Sequence, residues 1–348
     1  MSGSRASGWS SSRDDQFLDD LLEGPRELAA VLQAQRVAIR DIPLGALSRP
    51  SWRFVGLGSS RFAALEAAER LRAGGRDAVS EVASASLHSP GGRDTLLVAI
   101  SASGRTPEVL NAVERHRGIS FVLGLTAHAD SPLARLSDAV VPLAAAVLES
   151  GGVASLTYRA TVAALTALVA EGELDDVRDA LAQAVPALSE LIDGRDAWVG
   201  PAADVLDGAR YVHILGDASH FGACEQASLM FREGPRIPAQ AFDTGDWLHI
   251  GLYTVLPGDP VMLYTGADGD PDALRTIRAR GGHAVVIGRP AVGGSTPDEG
   301  EVWIPLPQAA VESRLVRSVV ESAVAELIAA ELWQRAGATV VGEDSPRR

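Results

Sequence analysis

The sequence predicts an α/β fold of two tandem units, each a parallel sheet with helices on both faces. Three observations predict it. Short apolar runs that read as buried strands alternate with segments of roughly 10–15 residues at helical spacing, the pattern of βαβ units. The alternation pauses after Ile192 and restarts at Tyr211. The length of 348 residues matches about two domains. The expected division is a disordered N-terminus over 1–14, a first unit with a leading helix over 15–172, a connecting helix over 173–194, a second unit over 195–336 and a tail over 337–348.

Residues 1–14 are rich in Ser, Gly and Arg and offer little to bury. From Phe17 to Val37, Leu18, Leu21, Leu22, Leu28, Val31 and Leu32 recur at helical spacing, interrupted at Pro25. Trp52–Gly56 reads as a strand that passes through Gly58-Ser59-Ser60 into an Ala-rich helix, Arg61–Leu71. Strands are expected at Ala78–Val82 and Leu96–Ser101, then a helix to His116, then strands at Phe121–Leu125 and Ala139–Leu143. A loop around Gly151-Gly152 leads into an apolar helix, Ser155–Ala170, and Leu174–Ile192 reads as one amphipathic helix. The second unit repeats the alternation. Strand Tyr211–Leu215, turn Gly216–Ser219 and helix Phe221–Arg232 are followed by strand Pro260–Tyr264, helix Asp272–Arg280 and strands His283–Ile287 and Val302–Pro305. A single C-terminal helix is expected from Val311 to Arg335.

Composition excludes several function classes. Apolar residues make up 46% and charged residues 22%, as in an ordinary soluble globular chain. The net charge of −14 argues against a nucleic-acid surface. One cysteine, Cys224, allows neither a disulfide framework nor a Cys-rich metal site, and it reads as a core residue. No window approaches 18 consecutive apolar residues, and the polar start Met1–Arg5 has no signal-peptide core, so a cytosolic protein away from membranes is expected. All 31 basic residues are Arg, so no side chain of this chain can form a Schiff base with a sugar carbonyl.

The most informative stretch is Ser101-Ala102-Ser103-Gly104-Arg105-Thr106, between the strand ending at Ile100 and a helix starting at Pro107. Ser and Thr often cap helices, which is the structural alternative. Here three hydroxyls and a glycine converge at a strand end, where ligands bind in open α/β sheets. Hydroxyls and the free N–H groups of a helix start suit an anion, and Pro107 lacks an N–H where none is needed. A phosphate monoester is the expected ligand. Gly56 and Gly58 lack the third glycine of G-x-G-x-x-G, since Arg61 stands there, so no dinucleotide site is expected. By local sequence Glu233 ends a helix and His249 sits in an apolar run. Asp243, Asp246 and His249 lack a fourth ligand at helical spacing, so neither a metal nor another cofactor is expected.

In series these motifs resemble the sugar isomerase (SIS) family of phosphosugar-binding proteins, over roughly Phe17 to Arg335. The resemblance is to the tandem-SIS group, which includes the isomerase part of glucosamine-6-phosphate synthase and amino-sugar-phosphate deaminases and deglycases. Leu22-Glu23-Gly24-Pro25-Arg26-Glu27-Leu28 looks like the family's leading helix, and Gly56-Leu57-Gly58-Ser59-Ser60 like its first glycine turn. Ile100–Thr106 looks like its phosphate loop, and Gly152-Val153-Ala154-Ser155 like the loop over the sugar. Phe231-Arg232-Glu233 through Gly245-Asp246-Trp247-Leu248-His249 resembles its catalytic segment. The resemblance implies two flavodoxin-like sheets. It implies phosphate contacts from Ser101, Ala102, Ser103 and Thr106, sugar contacts from Ser60 and Ser155, Glu233 as the base between C1 and C2, and His249 as an aid to ring opening. In the family that histidine comes from the neighbouring subunit, which implies a homodimer with shared sites.

The chain departs from the family at its lysines. The tail Gly337–Gly342 has none, and Phe231 or Arg232 and Leu156 or Thr157 stand where the family has others. No glutaminase domain is expected, so glutamine is not the expected nitrogen source. The second unit offers Tyr264-Thr265-Gly266-Ala267-Asp268 instead of a Ser-x-Ser loop, so phosphate is expected in the first unit only. The resemblance implies C2 deprotonation of a hexosamine or ketosamine 6-phosphate, of isomerase or deaminase type. The missing lysines keep a lyase that eliminates the 3-hydroxyl as an alternative. A phosphosugar sensor without catalysis is the alternative from another class.

Overall fold

The structure, a computed structural model, describes residues 13–144, 153–170, 174–288 and 296–336. The expected disordered N-terminus, the C-terminal tail and Gly151-Gly152 lie wholly or mostly outside these residues.

Helices α1 (Arg13–Leu22), α2 (Gly24–Arg40) and α3 (Leu44–Leu47) lead into β1 (Ser51–Gly56), α4 (Ser59–Ala73), β2 (Asp77–Val82) and β3 (Thr95–Ile100). Next come α5 (Pro107–His116), β4 (Phe121–Thr126), α6 (Pro132–Leu136) and β5 (Ala139–Pro142). The sheet is parallel in the order β2-β1-β3-β4-β5. Helices α7 (Leu156–Val169), α8 (Leu174–Ala182), α9 (Ala184–Asp193) and α10 (Val199–Leu206) join the halves. Then β6 (Val212–Gly216), α11 (Phe221–Glu233), β7 (Ala239–Asp243), α12 (Thr244–His249), β8 (Pro260–Tyr264), α13 (Asp270–Ala279), β9 (His283–Gly288) and β10 (Val302–Pro305) build the second parallel sheet, ordered β10-β9-β8-β6-β7. Numbered within its own half, each sheet runs 2-1-3-4-5, the flavodoxin-like order expected. Helices α14 (Gln308–Glu312), α15 (Arg314–Val320) and α16 (Ser322–Ala336) close the described chain.

Strand periodicity explains how the halves join. Phe54, Leu96, Val98 and Leu123 of the first sheet share one continuous core with Ile214, Met262, Tyr264 and Val285 of the second. The alternate residues face outward: Leu97, Ala99 and Val122 pack on α5, and Leu215, Val261 and Leu263 pack on α12 and α13. The shared layer contains α4, α7, α11 and α16, and the first three turns of α7 are buried all round. Among the described residues, no helix is long and apolar enough to cross a membrane.

Two expected helices are broken. Leu174–Ile192 divides at Gln183 into α8 and α9, with Pro186 in the first turn of α9, where its missing N–H costs no helical bond. Val311–Arg335 divides into α14, α15 and α16, and Ser313 caps α15 by accepting from Val316 N at 3.4 Å. The second break, at Glu321, carries a buried charge cluster. Glu321 accepts from Arg317 Nε at 2.8 Å and pairs with His220 Nδ1 at 3.0 Å. Burial disfavours the His220 cation, but the charge and hydrogen bond of Glu321 outweigh it and raise the imidazole. Burial also opposes the Glu321 carboxylate, which His220 and Arg317 hold below its ordinary value. Glu321→Gln leaves two buried cations short of their partner and is expected to cost about 3–5 kcal/mol of stability in urea unfolding. The His220 contribution is fully present below the ordinary imidazole pKa of about 6.5 and is lost as pH rises through its elevated value. The penalty of the variant should therefore be larger at pH 6 than at pH 9.

Candidate active site

At the C-terminal edge of the first sheet, β1 and β3 are neighbours and their chains leave in opposite directions, which opens a crevice. The Ser101–Thr106 loop sits there. Ser101 is buried and its N–H donates to Leu125 O at 3.1 Å, which ties the loop to β4. The Ala102 carbonyl accepts from Thr126 Oγ1 at 3.1 Å and from Ala127 N at 2.9 Å. Ser103 is exposed, and its Oγ accepts from Arg105 N at 3.2 Å. Thr106 occupies the N-cap position of α5 but makes no side-chain cap. Its Oγ1 lies 2.8 Å from Ser101 Oγ instead. The hydroxyls thus face each other across the loop, and the first-turn N–H groups of α5 are left without a side-chain cap. This arrangement suits an anion better than a capped helix start does.

Gly104 holds the loop closed. Its φ is +63°, and a Cβ there would lie 2.2 Å from Ser131 Oγ. Ser131 cannot yield easily, because its Oγ accepts from Ala134 N and caps α6. Gly104→Ala combines left-handed strain with a clash, and the expected result is a displaced loop with affinity for an anion at least tenfold weaker. Titration calorimetry with inorganic phosphate measures it.

The second unit has a crevice of the same kind between β6 and β8, but its N–H groups are already taken. Asp270 Oδ2 accepts from Gly266 N at 2.6 Å and from Ala267 N at 2.9 Å. The Asp270 carboxyl is buried and raised by desolvation, which those two bonds oppose.

The remaining expected residues fall in three places. Ser60 lies half-buried in the first turn of α4, directly after β1. Ser155 is buried at the start of α7. The adjacent Ala154 carbonyl accepts from Gln226 Nε2 of α11 at 2.8 Å, so the Val153–Ser155 loop rests on α11. Glu233 ends α11 on the same helical face as Gln226, two turns later and about 11 Å along the axis. It reaches solvent, yet desolvation by the surrounding protein raises its carboxyl, opposed by Arg232.

His249 is exposed at the end of α12. Asp243 starts that helix by accepting from Gly245 N at 2.8 Å and Asp246 N at 3.1 Å. Trp247 anchors it by donating Nε1–H to His213 Nδ1 at 3.2 Å. His213 is buried, stacks on Phe242, and is pushed down by desolvation to about 4, so it stays neutral and accepts that bond. Glu233 precedes β7 and His249 follows it. In the chain, β7 thus lies between them, with Glu233 at the end of the helix before it and His249 at the end of the helix after it.

Sequence reasoning missed a second carboxylate on α11. Glu225 is half-buried and raised by desolvation, which the charges of Arg61 and Arg232 oppose. Nothing in Cys224-Glu225-Gln226 distinguishes it from a surface helix position. Cys224 is in the core as expected, with its thiol pushed well up by burial. Among the described residues, no three His, Cys, Asp or Glu side chains are grouped to hold a metal.

Residues 49–171 match the SIS domain family. A glutamine–fructose-6-phosphate aminotransferase (isomerizing) of Aeropyrum pernix is 29% identical over 223 residues, covering 60% of this chain and 36% of the relative. One from Symbiobacterium thermophilum is 31% identical over 211 residues, covering 56% and 34%. The chain thus spans about a third of the length of the curated relatives it matches. Among solved structures, the C-terminal domain of glucosamine-fructose-6-phosphate aminotransferase from Francisella tularensis superposes with a TM-score of 0.82 at 18% identity, covering 94% of this chain and 99% of that one. Glucosamine-6-phosphate deaminase from Thermotoga maritima gives 0.69 at 17% identity, covering 92% and 95%. At these identities the solved structures speak for the fold.

Proposed function

With residues 49–171 a SIS domain and the second sheet in the same strand order, we propose that the chain is an enzyme acting on a hexosamine or ketosamine 6-phosphate. The observation that carries the reading is Thr106, whose hydroxyl joins Ser101 at 2.8 Å and leaves the α5 N–H groups free for a phosphate. In this reading Ser101, Ser103, Thr106 and the Ala102 N–H hold the phosphate. Ser60 and Ser155 hold sugar hydroxyls. Only the first unit binds, because Asp270 fills the matching position of the second.

The chemistry follows from the carboxylate. His249, brought by a second copy of the chain, assists ring opening. Glu233 takes the proton from C2 of the opened hexosamine, the C–H electron pair forms the C1=C2 bond of an enediol or enediolamine, and the C1 carbonyl pair moves onto O1, which takes a proton from water. A ketosamine, with no hydrogen at C2, enters the same kind of intermediate by loss of a C1 proton. Return of the proton to C1 completes the isomerisation and, for a 2-amino sugar, leaves a C2 imine whose hydrolysis releases ammonia and a ketose 6-phosphate, the deaminase outcome. The amino-sugar substrate class is supported by the names of the relatives, one an aminotransferase on fructose 6-phosphate and one a glucosamine-6-phosphate deaminase.

One observation favours a second reading. The chain contains no lysine, and elimination of the 3-hydroxyl from the same C2 carbanion needs none. That lyase would yield an unsaturated product.

Proton NMR in D₂O tests both, with glucosamine 6-phosphate, N-acetylglucosamine 6-phosphate and fructose 6-phosphate plus ammonia. Deuterium at C2 with a new ketose supports the first reading, and an unsaturated product supports the second. Binding without exchange for all three would overturn both in favour of a sensor.

A further inference from the structure

Helices α11 and α16 pack side by side. Near the middle of each, one side chain holds the start of α7. Gln226 of α11 donates Nε2–H to the Ala154 carbonyl at 2.8 Å. Glu326 of α16 pairs with the buried Arg159, whose own N–H donates to Ser155 O at 3.0 Å. About two turns later, roughly 11 Å along each axis, the two helices meet again. A Cβ at Gly234 would lie 3.0 Å from Trp333 Cε3 and 3.4 Å from its Cδ2. The indole of α16 therefore covers the residue directly after Glu233, so closely that a side chain there would push against the ring.

The turn under the ring is a demanding one. After Glu233 the chain reverses through Gly234-Pro235-Arg236, and the Ile237 N–H returns to Phe231 O at 2.9 Å. Arg236 takes a left-handed φ of +63°, and among the described residues no other non-glycine residue does so. Such a conformation persists only where the surroundings impose it. Trp333 supplies support from α16 and is itself fixed. Its ring packs on Phe17 of α1 with the centroids 5.9 Å apart, and two residues later Arg335 pairs with Asp204 of α10 at 2.8 Å.

Resting on the phosphosugar reading, we propose that Trp333 is a positioning residue for the proton transfer. Its ring holds the Gly234 turn, and the turn fixes where the Glu233 carboxylate stands relative to the sugar. Because α16 also grips α7 through Glu326, one helix sets the spacing between the Ser155 loop and the base. A displacement of about 1 Å from the reacting C–H can cost on the order of 10²-fold in rate. The phosphate is held elsewhere, at the Ser101–Thr106 loop, so the loss falls on rate and spares affinity. The ring atoms nearest Gly234 are those close to the point of attachment, which a phenylalanine also provides.

Deuterium exchange into the sugar in D₂O tests this on the full chain and on Trp333→Ala, Trp333→Phe and Gly234→Ala. Rates are measured over a range of concentrations of glucosamine 6-phosphate, N-acetylglucosamine 6-phosphate and fructose 6-phosphate. Trp333→Ala and Gly234→Ala are each expected to lower kcat for exchange roughly 10- to 100-fold while KM stays within about threefold. Trp333→Phe is expected to stay within about threefold of the parent in both. Gly234→Ala reaches the same contact from the other helix and decides the matter alone where Trp333→Ala does not fold. A parental kcat in Gly234→Ala or Trp333→Ala, a KM that rises in step with the fall in kcat, or a Trp333→Phe as slow as Trp333→Ala would overturn the role of Trp333 and leave the phosphosugar reading standing. A parent chain that exchanges no proton of any of the three sugars overturns that reading and this one with it.

Discussion

Glu233→Gln is expected to slow deuterium exchange at C2 by roughly 10²- to 10⁴-fold while phosphosugar affinity stays within a few-fold. The substitution keeps the shape of the side chain and removes only its ability to accept a proton. The residue is well suited to the role. Desolvation raises its carboxyl, against the opposing charge of Arg232, which makes the carboxylate a stronger base than an ordinary glutamate. Exchange by the parent should fall as pH drops through this elevated value, at a higher pH than an unperturbed carboxylate would give. The stability sign is opposite to that of a salt-bridged acid. A carboxyl raised in the folded state disfavours folding once it ionises, so Glu233→Gln should melt no lower than the parent at neutral pH. A variant that loses exchange and affinity together, or that melts much lower, would mark Glu233 as a structural helix terminus. NMR exchange rates, calorimetry and thermal melts on the same preparation separate these outcomes.

The parts of the fold that were legible in the sequence share a physical cause. Strands buried on both faces are apolar throughout, so Thr95–Ile100, wholly buried, announces itself as a run. Edge strand β7, Ala239-Gln240-Ala241-Phe242-Asp243, has one exposed position and no such run, and sequence reasoning did not assign it. Helix α12 escaped for another reason. It is six residues long, too short for a periodic signal, and it depends on the Asp243 cap and on a tertiary bond from Trp247 to His213. The broken C-terminal helix shows the opposite failure, an apolar period that continues across joints set by Ser313 and by the buried Glu321 cluster.

The candidate site divides in the same way. The Ser101–Thr106 loop is contiguous in sequence, so its hydroxyls, its glycine and the following Pro107 could be read together. What could not be read is the choice Thr106 makes between capping α5 and facing Ser101, because both use the same residue at the same position. Glu225 was invisible because its half-burial comes from packing of α11 against distant elements: Gly222, three residues before it, approaches Phe62, 160 positions before that glycine. Asp270 is similar: a first-turn acid on a helix looks like a dipole partner until its oxygen is seen on Gly266 N and Ala267 N.

The separation of Glu233 and His249 leads to the second large expected effect. Along the chain β7 lies between them, at the ends of α11 and α12. If both act at one site in the arrangement that the resemblance to the sugar isomerase family implies, His249 comes from a second copy. The segment that carries it offers a surface for this, since Ile250, Tyr253 and Leu256 are exposed apolar residues directly after α12. Such residues are more at home in an interface than in water. Glu233→Gln and His249→Ala should each be inactive as pure proteins. Mixed in equal amounts and allowed to exchange subunits, they should regain about a quarter of parental activity, because half the dimers are mixed and each of those has one intact site. Recovery that grows with mixing time and then plateaus is the expected trace. No recovery from a mixture in which subunit exchange is verified by mass would place the two residues in separate roles. Full activity of His249→Ala alone would remove it from the reaction.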